Sequence, residues 1–412
     1  MKIKQEKIWT ITMILVNIFV FFGYLVPSRS AFLLVIAGTS LILYLFLNRR
    51  IKTEVFRRNI LWLAILIDLF FSLLFTINVS LSIKFIMTYG ATLIMKLIYD
   101  SLELDNPDFK WKEKFLNIAF VCSGIHVITT LIYNLYPDII LKLNRTILTT
   151  QQYSYNLLQY TQGLNPGICD DYGFNAFCVL MFVGIILSKI FAKEKIKILD
   201  VILLIFGIIT LIIIGKRGHL LCFAIGTVIC FWLSFNKIPI YKKFTIIIGS
   251  ILIVLAVYYV ATKIPATAIL ITRLKQTQIS GGALNGREII YQHSIETFKD
   301  NFLFGIGIRG IYAKYLGDGH NIYLQILAEL GIFGATIVFI TFIRNIQKAI
   351  IEYLKKENKS NKYLIMFSIF CQIFFLVNGI TENTFYVESI LIFYMIITVF
   401  NNFGIKKEKQ NG

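Results

Sequence analysis

The chain has 412 residues, of which 57% are apolar and only 16% are charged, and its mean hydropathy is +0.72. A typical soluble domain has about 25% charged residues, so this composition excludes a soluble globular protein, which could not bury so much apolar surface. The net charge of +18 does not indicate nucleic acid as a partner, because membrane proteins carry surplus Lys and Arg in their cytoplasmic loops.

Apolar runs of the length of a membrane-spanning helix follow one another along the chain. They lie at residues 8–26, 30–47, 60–79, 81–99, 115–135, 174–191, 198–214, 219–235, 244–260, 321–343, 363–380 and 386–402. We therefore predict an all-α polytopic membrane protein, a single integral membrane domain over residues 1–412 with about twelve transmembrane helices. The run at 81–99 is the weakest, because it contains Lys84, Gly90 and Lys96.

The basic residues favour one orientation of these runs. With twelve spans and both termini inside, 27 of the 41 Lys and Arg residues fall in cytoplasmic segments and twelve fall in outer segments. Seven of those twelve lie in one long loop, where the tendency of basic residues to stay inside has little force. The sequence therefore predicts cytoplasmic N- and C-termini.

Two of the predicted outer segments are too long to be mere connections, residues 137–172 and residues 261–320. Long ordered loops usually carry function. The second segment contains an amphipathic stretch, Glu288 to Lys299, for which we predict a short helix on the membrane surface. Both segments face the side of the membrane that holds no ATP or nucleotide sugar, which limits the chemistry available there.

The turn Gly215-Lys216-Arg217-Gly218-His219 forms the whole connection between the seventh and eighth runs. Its two adjacent cations lie on the side where basic residues are disfavoured. They also lie at the start of a helix, where backbone N–H groups and the helix dipole favour an anion. The turn therefore predicts a phosphate-binding site, and the alternative is that both cations extend to lipid head groups.

Two further motifs lie in the long outer loop. Arg287 follows a glycine-rich stretch and sits in the first turn of the amphipathic helix, where a cation opposes the helix dipole, so a functional role is plausible. The segment from Gly305 to Gly310 has the letters of a dinucleotide fingerprint but no strand before it, so we predict a flexible turn between two short helices. Arg309 within it is a candidate substrate-binding cation.

His320 opens the tenth run, at the boundary between the outer loop and the membrane, and Asn321 follows it. A histidine in such a place can accept a proton near neutral pH, although a helix-capping role is the common alternative. Asp68 and Glu329 lie inside runs, where ionisable groups are usually functional. Glu329 is on the opposite face of its helix from His320 and about 13 Å deeper, so we expect it to pair within the helix bundle.

The ordered set of motifs resembles the O-antigen ligase and O-antigen/capsule polymerase superfamily. The resemblance covers residues 210–334. It is carried by the Gly-Lys-Arg-Gly turn, by Gly286-Arg287 before the amphipathic helix, by Asn301-Phe-Leu-Phe-Gly-Ile-Gly307, and by His320-Asn321 leading into Gln325-Ile-Leu-Ala-Glu-Leu-Gly-Ile-Phe-Gly334.

The resemblance implies a glycosyltransferase of the bacterial cytoplasmic membrane that needs neither metal nor cofactor. The implied donor is a glycan on undecaprenyl pyrophosphate, used at the outer face. The family's two arginines and one histidine correspond to Arg217, Arg287 and His320, with Lys216, Arg309 and Asn321 as further substrate-binding candidates. Membrane lipids and other membrane proteins of polysaccharide assembly are implied partners, and nucleic acid is not. One departure is His293, where the family usually has an aromatic residue on the surface helix.

The chemistry of these residue types agrees with that mechanism. A sugar on pyrophosphate already carries its leaving group, and arginines can stabilise the departing charge while a histidine takes the acceptor's proton. We predict a polymerase that joins lipid-linked repeat units. The alternatives are a ligase that moves finished glycan to a lipid or protein acceptor, a lipid-linked oligosaccharide flippase, and a membrane scaffold. Few charges lie inside the apolar runs and one outer loop is long, which disfavours a flippase.

Overall fold

The computed structural model describes residues 2–26, 28–106, 109–192, 196–235, 239–241, 287–355 and 361–402. All regular secondary structure in these residues is helical. Chain contacts divide the protein into two compact units, the first formed by Met1–Ser123 with Ile290–Gly412 and the second by Gly124–Ile289. The predicted run at 244–260 and the first part of the predicted outer loop, residues 261–286, lie outside the described residues.

The helices of the first unit come from both ends of the chain. They are α1 (Lys2–Phe22), α2 (Arg29–Asn48), α3 (Thr53–Arg58), α4 (Ile60–Phe71), α5 (Val79–Asp105), the first half of α6 (Trp111–Leu135), α12 (Glu288–Asp300), α13 (Gly310–Tyr315), α14 (Ile322–Leu354), α15 (Lys362–Asn378) and α16 (Glu388–Thr398). The second unit contains the end of α6 and α7 (Pro137–Ile147), α8 (Thr150–Thr161), α9 (Tyr172–Phe191), α10 (Ile198–Ile214) and α11 (Arg217–Ser234).

Seven of the described helices are long and apolar enough to cross a membrane. They are Gln5–Leu25, Arg29–Asn48, Val79–Asp105, Trp111–Leu135, Tyr172–Phe191, Arg217–Ser234 and Ile322–Leu354. Shorter apolar helices occupy four more of the predicted runs, Ile60–Phe75, Ile198–Ile214, Lys362–Asn378 and Glu388–Asn401. The all-helical membrane fold is therefore confirmed. The total of twelve spans, the single domain and the orientation of the termini stay predictions.

The first unit is built around α5, which packs against α2, α4 and α16. Helix α14 packs in turn against α4 and α15. Aromatic rings fill the centre: Phe375 and Tyr394 stack with 3.9 Å between ring centroids, and Phe342 meets both rings edge-on. Buried aromatic pairs of this kind add about 0.5–1.5 kcal/mol beyond the burial of their area. The resulting core holds the ends of the helices, and therefore the loops between them, in fixed positions.

Helix α14 is interrupted at Gly331, whose φ of 63° and ψ of −170° are not helical. Part of the backbone bonding lost there is replaced by the loop that follows α12. The Ile306 amide donates to the Ala328 carbonyl at 3.1 Å, and the Ile332 amide donates to the Phe302 carbonyl at 2.9 Å. Inside a membrane, backbone groups must find partners in the protein. The turn predicted at Gly305 to Gly310 is therefore present, but the prediction that it is flexible is wrong, because it is packed into the broken helix.

In the second unit, α9 lies between α10 and α11 and is buried along most of its length. Gly207 of α10 allows close packing, because a Cβ there would lie 2.6 Å from the Val183 side chain. Helices α7 and α8 fill residues 137–161 of the first predicted outer segment and pack on each other. A capping box begins α8, with the Thr149 and Gln152 side chains each bonding the other's backbone amide.

Candidate active site

The Lys216-Arg217 turn of the second unit has the geometry that the sequence predicts. Helix α10 ends at Gly215, which adopts the left-handed conformation with a φ of 76°, and α11 begins at Arg217 with Lys216 in the N-cap position. The Arg217 side chain is exposed, and His219 behind it is buried. Two cations thus lie at a helix N-terminus whose backbone N–H groups and dipole also favour an anion.

Lys216 is held by the N-terminus of α9. Its Nζ lies 4.7 Å from the centroid of the Tyr172 ring, a cation–π contact. A side chain at position 173 would collide with Asp171, since a Cβ on Gly173 would lie 2.7 Å from Asp171 Oδ1, and it would lie in tight contact with Lys216, 3.3 Å from its Nζ. Burial raises the pKa of the Asp171 carboxyl, while the positive charge of Lys216 opposes that rise. The structure therefore adds an acidic neighbour to the predicted phosphate site.

Asp171 is positioned by α8 and by its own helix. It caps α9, since its Oδ1 accepts from the Phe174 amide at 3.0 Å. Its Oδ2 accepts from Gln159 Nε2 at 3.1 Å, and Gln159 Oε1 accepts from the Tyr172 amide at 2.9 Å. Both carboxylate oxygens of Asp171 therefore accept hydrogen bonds from neighbouring residues.

Buried amide side chains hold the segment between α8 and α9. Asn144 Nδ2 donates to the Gly167 carbonyl at 2.9 Å, and Asn156 Nδ2 donates to the Cys169 carbonyl at 2.5 Å. Asn175 Nδ2 donates to Thr130 Oγ1 at 2.8 Å. These bonds satisfy backbone groups that would be costly to bury without partners. The first predicted outer segment is thus an ordered support for Asp171.

Arg287 lies directly before α12, whose first residue is Glu288. Its side chain is half-buried, and the glycine-rich stretch before it lies outside the described residues. Further along α12, the ring of His293 stacks on Tyr315 with 4.2 Å between centroids. The position where the family usually has an aromatic residue thus holds a histidine that packs as a flat ring.

Arg309 lies at the start of α13 in the left-handed conformation, with a φ of 63°. Its guanidinium bonds Asp318 Oδ1 at 2.7 Å and lies 4.7 Å from the centroid of the Tyr312 ring. Its amide donates to Glu329 Oε2 at 2.8 Å. The structure therefore places this predicted substrate-binding cation in an ion pair that an anionic substrate would have to share or displace.

Glu329 is buried and fully bonded, which confirms that it pairs within the bundle. Besides the Arg309 amide, it accepts hydrogen bonds from Gln325 Nε2 at 2.9 Å and from the Tyr386 hydroxyl at 2.8 Å. Burial and the nearby carboxylate of Glu329 raise the pKa of Tyr386 well above its usual value, so this hydroxyl remains a donor. The acid has a structural role in fastening α13 and Tyr386 to α14.

A cavity of about 230 Å³ opens beside this cluster. It is lined by Lys84 of the weakest apolar run, by the aromatic residues Tyr312 and Tyr386, by Arg309 and by Glu388. Charged groups that alternate with flat rings suit a sugar, which stacks on its apolar face and hydrogen-bonds through its hydroxyls. Lys84, which interrupts the apolar run, is thus part of the cavity wall.

His320 has a left-handed backbone with a φ of 49°, a conformation that is uncommon for residues other than glycine but enriched in histidine. Three contacts hold it there. The Tyr291 hydroxyl donates to the His320 carbonyl at 3.2 Å, the Gly319 amide donates to Gln325 Oε1 at 2.9 Å, and the Ile322 amide donates to the Gly379 carbonyl at 2.8 Å. Such outliers cost about 1–3 kcal/mol and cluster at functional sites.

The cap of α14 is Asn321 and not His320. Asn321 Oδ1 accepts from the amides of Tyr323 and Leu324 at 3.0 and 3.1 Å. The helix-capping alternative for His320 is therefore wrong, because Asn321 accepts the hydrogen bonds of the first free amides of the helix. This capping uses the side-chain oxygen of Asn321, a residue for which the sequence predicts a role in substrate binding.

His320 faces an acid that the sequence does not indicate. Its Nδ1 lies 3.8 Å from Glu382 Oε2, within ion-pair distance when the imidazole is protonated. Glu382 belongs to the turn after α15, where its amide bonds the Asn378 carbonyl at 2.9 Å. A carboxylate beside one ring nitrogen stabilises the imidazolium that forms when the other nitrogen accepts a proton. His320 therefore has the surroundings of a general base.

The predicted site residues fall in both units. Lys216, Arg217 and Arg287 belong to the second, and Arg309, His320 and Asn321 belong to the first. The joint site that the sequence predicts stays a prediction. The sequence did not indicate Asp171, Tyr291 or Glu382 as site residues. The one feature of the sequence that could have indicated Glu382 is its place as an acid in a short polar turn between two apolar runs.

Comparison with known families matches residues 202–339 to a family model described as O-antigen ligase. The matched segment is a third of the chain and includes Lys216, Arg217, Arg287, Arg309 and His320. The resemblance to the O-antigen ligase and polymerase superfamily is therefore confirmed. A comparison with curated proteins finds no match.

Proposed function

We propose that the protein polymerises a bacterial surface polysaccharide, O-antigen or capsule; the match of residues 202–339 to a family model described as O-antigen ligase supports this type of function. The donor is a glycan on undecaprenyl pyrophosphate, and the acceptor is a hydroxyl of a second lipid-linked repeat unit. The reaction takes place on the outer face of the cytoplasmic membrane. The observation that carries the proposal is His320, held in a strained conformation opposite Glu382 at 3.8 Å.

His320 acts as the general base in this reaction. The acceptor oxygen attacks the anomeric carbon, the bond from that carbon to the pyrophosphate oxygen breaks, and the acceptor proton passes to Nε2 of His320. Nδ1 faces Glu382, whose charge stabilises the imidazolium. A positioned base of this kind contributes about 10²–10⁴-fold.

Arg217 and Arg287 hold the pyrophosphate that leaves as undecaprenyl pyrophosphate. Guanidinium groups donate two parallel hydrogen bonds to phosphate oxygens and stay protonated, so they neutralise the charge that develops on the leaving group. The helix N-terminus behind Arg217 adds its dipole. Lys216, held by Tyr172 and Asp171, supplies a second positive charge at the same turn.

A ligase is the second candidate, because the matched family model carries that description. Both reactions use the same donor, and they differ in the acceptor. Purified full-length protein with synthetic lipid-linked repeat units separates them on a gel: a ladder of products supports the polymerase. If no ladder forms, and glycan is instead transferred once to an added lipid or protein acceptor, the protein is a ligase.

A further inference from the structure

A second cavity lies in the first unit, and none of the candidate site residues lines it. It measures about 340 Å³ and is bordered by α3, α4, α5, α14 and the end of α16. Its lining contains the cationic side chains of Arg57, Arg58, Lys96, Arg344 and Lys348, and no carboxylate. The basic-residue distribution of the sequence predicts that this end of the helices faces the cytoplasm.

Lys96 is the deepest of these cations, and its side chain is only 2% exposed. Its Nζ lies 5.9 Å from the centroid of the Trp62 ring. No carboxylate oxygen in the described part of the chain lies within ion-pair distance of Lys96. A buried cation without a close counter-ion is expensive. Its position on the wall of a cavity indicates that an anion in the cavity would offset this cost.

The nearest buried acid is already engaged. Asp100, one helical turn after Lys96, accepts hydrogen bonds from Asn59 Nδ2 and Asn402 Nδ2, both at 2.7 Å. The Lys348 ammonium donates to the side chain of Asn402. The acid is therefore held behind the cavity wall by neutral amides, and its single charge is shared among several cations.

The remaining acids nearby do not balance the charge. Glu54 pairs with Arg58 at 2.5 Å. Glu352 pairs with Lys355 at 2.7 Å, and its charge also attracts Lys348. Five cations face the cavity. In the described residues, two acids lie within ion-pair distance of any of these cations, namely Asp100 and Glu54. The cavity thus keeps a surplus of positive charge.

The rim of the cavity shows which kind of anion it suits. Ile60 and Ile351 belong to the lining, yet their side chains are 62% and 57% exposed. Ile343, on the same helix as Ile351, is 52% exposed. Ile60 lies on a short apolar helix, and Ile343 and Ile351 lie on a helix long enough to cross a membrane. Together they present an apolar surface for acyl chains next to a cationic cavity, a combination that matches an amphiphile with an anionic head.

We propose that this cavity binds the phosphate-bearing head group of an anionic phospholipid of the cytoplasmic leaflet. The five cations bind the phosphate oxygens. Lys96 binds from the buried side of the cavity, and Arg57 and Arg344 bind from its exposed edge. The acyl chains run along Ile60 and Ile351. Basic cavities between membrane helices are a recurrent form of lipid head-group recognition.

The test uses purified full-length protein in detergent, with native mass spectrometry reading the bound lipid. Diphosphatidylglycerol is expected to remain bound where phosphatidylcholine does not. The double variant Arg57→Gln/Arg344→Gln removes two exposed cations and is expected to weaken diphosphatidylglycerol binding roughly 30-fold. Lys96→Met, which replaces a buried charge by an apolar side chain of similar length, is expected to weaken it as well.

The matched control is the double variant Lys52→Gln/Lys110→Gln. It removes two exposed cations from the same end of the helices, and neither lines the cavity. Its lipid binding is expected to equal that of the unaltered protein. Inorganic pyrophosphate is added as a competitor to distinguish a lipid from a free phosphate. The proposal is overturned if the control loses as much binding as Arg57→Gln/Arg344→Gln, if both lipids bind equally, or if pyrophosphate at the same concentration as the lipid displaces it, which contacts of the acyl chains would prevent.

Discussion

Glu382→Gln isolates the contribution of the acid to the proposed base. Glutamine keeps the size of the side chain and its place in the turn after α15, and it removes the negative charge that faces His320. In the mechanism proposed above, this charge acts only when the imidazole becomes protonated, as the acceptor loses its proton. The variant should therefore lower the catalytic rate and leave donor binding nearly unchanged.

The distance between the two groups sets the size of the effect. Two unit charges about 4 Å apart attract each other by about 1 kcal/mol in water and by about 4 kcal/mol at an effective dielectric constant of about 20. The side chains of His320 and Glu382 are 37% and 23% exposed, so solvent screens the pair substantially. An attraction of about 1–2 kcal/mol corresponds to a rate loss of roughly 5- to 30-fold.

The assay measures initial rates of chain extension with purified protein and a synthetic lipid-linked repeat unit, over a range of donor concentrations. The expected result is a kcat lowered by that factor and a KM for the donor that is unchanged. Glu296→Gln is the matched control, because Glu296 is an exposed acid on α12 whose carboxylate bonds only Gln292 in the described contacts, at 2.7 Å. Its kcat should stay at the level of the unaltered enzyme.

Two results would refute this reasoning. If Glu382→Gln turns over at the full rate, the carboxylate has no part in proton transfer. If instead KM rises while kcat is unchanged, Glu382 binds the substrate, and the imidazolium is stabilised by another group. In either case His320 would need a different partner to serve as the base.

Three further outcomes test the site and the fold. His320→Ala should abolish transfer without loss of donor binding, and EDTA should leave the unaltered enzyme active; loss of activity on chelation, restored by a divalent ion, would contradict a metal-independent mechanism. Arg217→Lys keeps a charge but loses the two-pronged donor, so most activity should disappear while membrane insertion persists; normal product length with Arg217→Ala would favour contact with lipid head groups. Gly331→Ala should lower the free energy of unfolding by about 1–3 kcal/mol, measured by thermal unfolding in detergent, because Gly331 has a φ of 63° and a Cβ there would collide with the Leu303 backbone. Gly38→Ala is the control and should not lower the free energy of unfolding, because a Cβ there meets no atom within 4 Å and alanine favours the helix.

Much of the fold follows from local composition, because an apolar run long enough to span a membrane has almost no alternative to a helix. The run at 81–99 shows the limits of this rule. Lys84, Gly90 and Lys96 weaken its pattern, yet the structure forms one continuous helix, Val79–Asp105. Lys84 lines the cavity beside Arg309 and Lys96 lines the cavity beside Arg58, and neither location can be seen in the run itself.

The candidate site likewise contains features that the sequence predicts and features that only the tertiary structure shows. The sequence by itself determined the cationic turn at Lys216 and Arg217, because helix ends and paired charges are features of neighbouring residues. It also determined the position of His320 at the start of a membrane helix. Only the tertiary structure decided that Asp171 lies beside Lys216, that Glu382 faces His320, and that the loop after α12 enters the break in α14 at Gly331. The members of each of these contacts are separated by tens of residues along the chain. The packing of the helices sets the distance between them in space, whereas the sequence pattern records only which residues are neighbours along the chain.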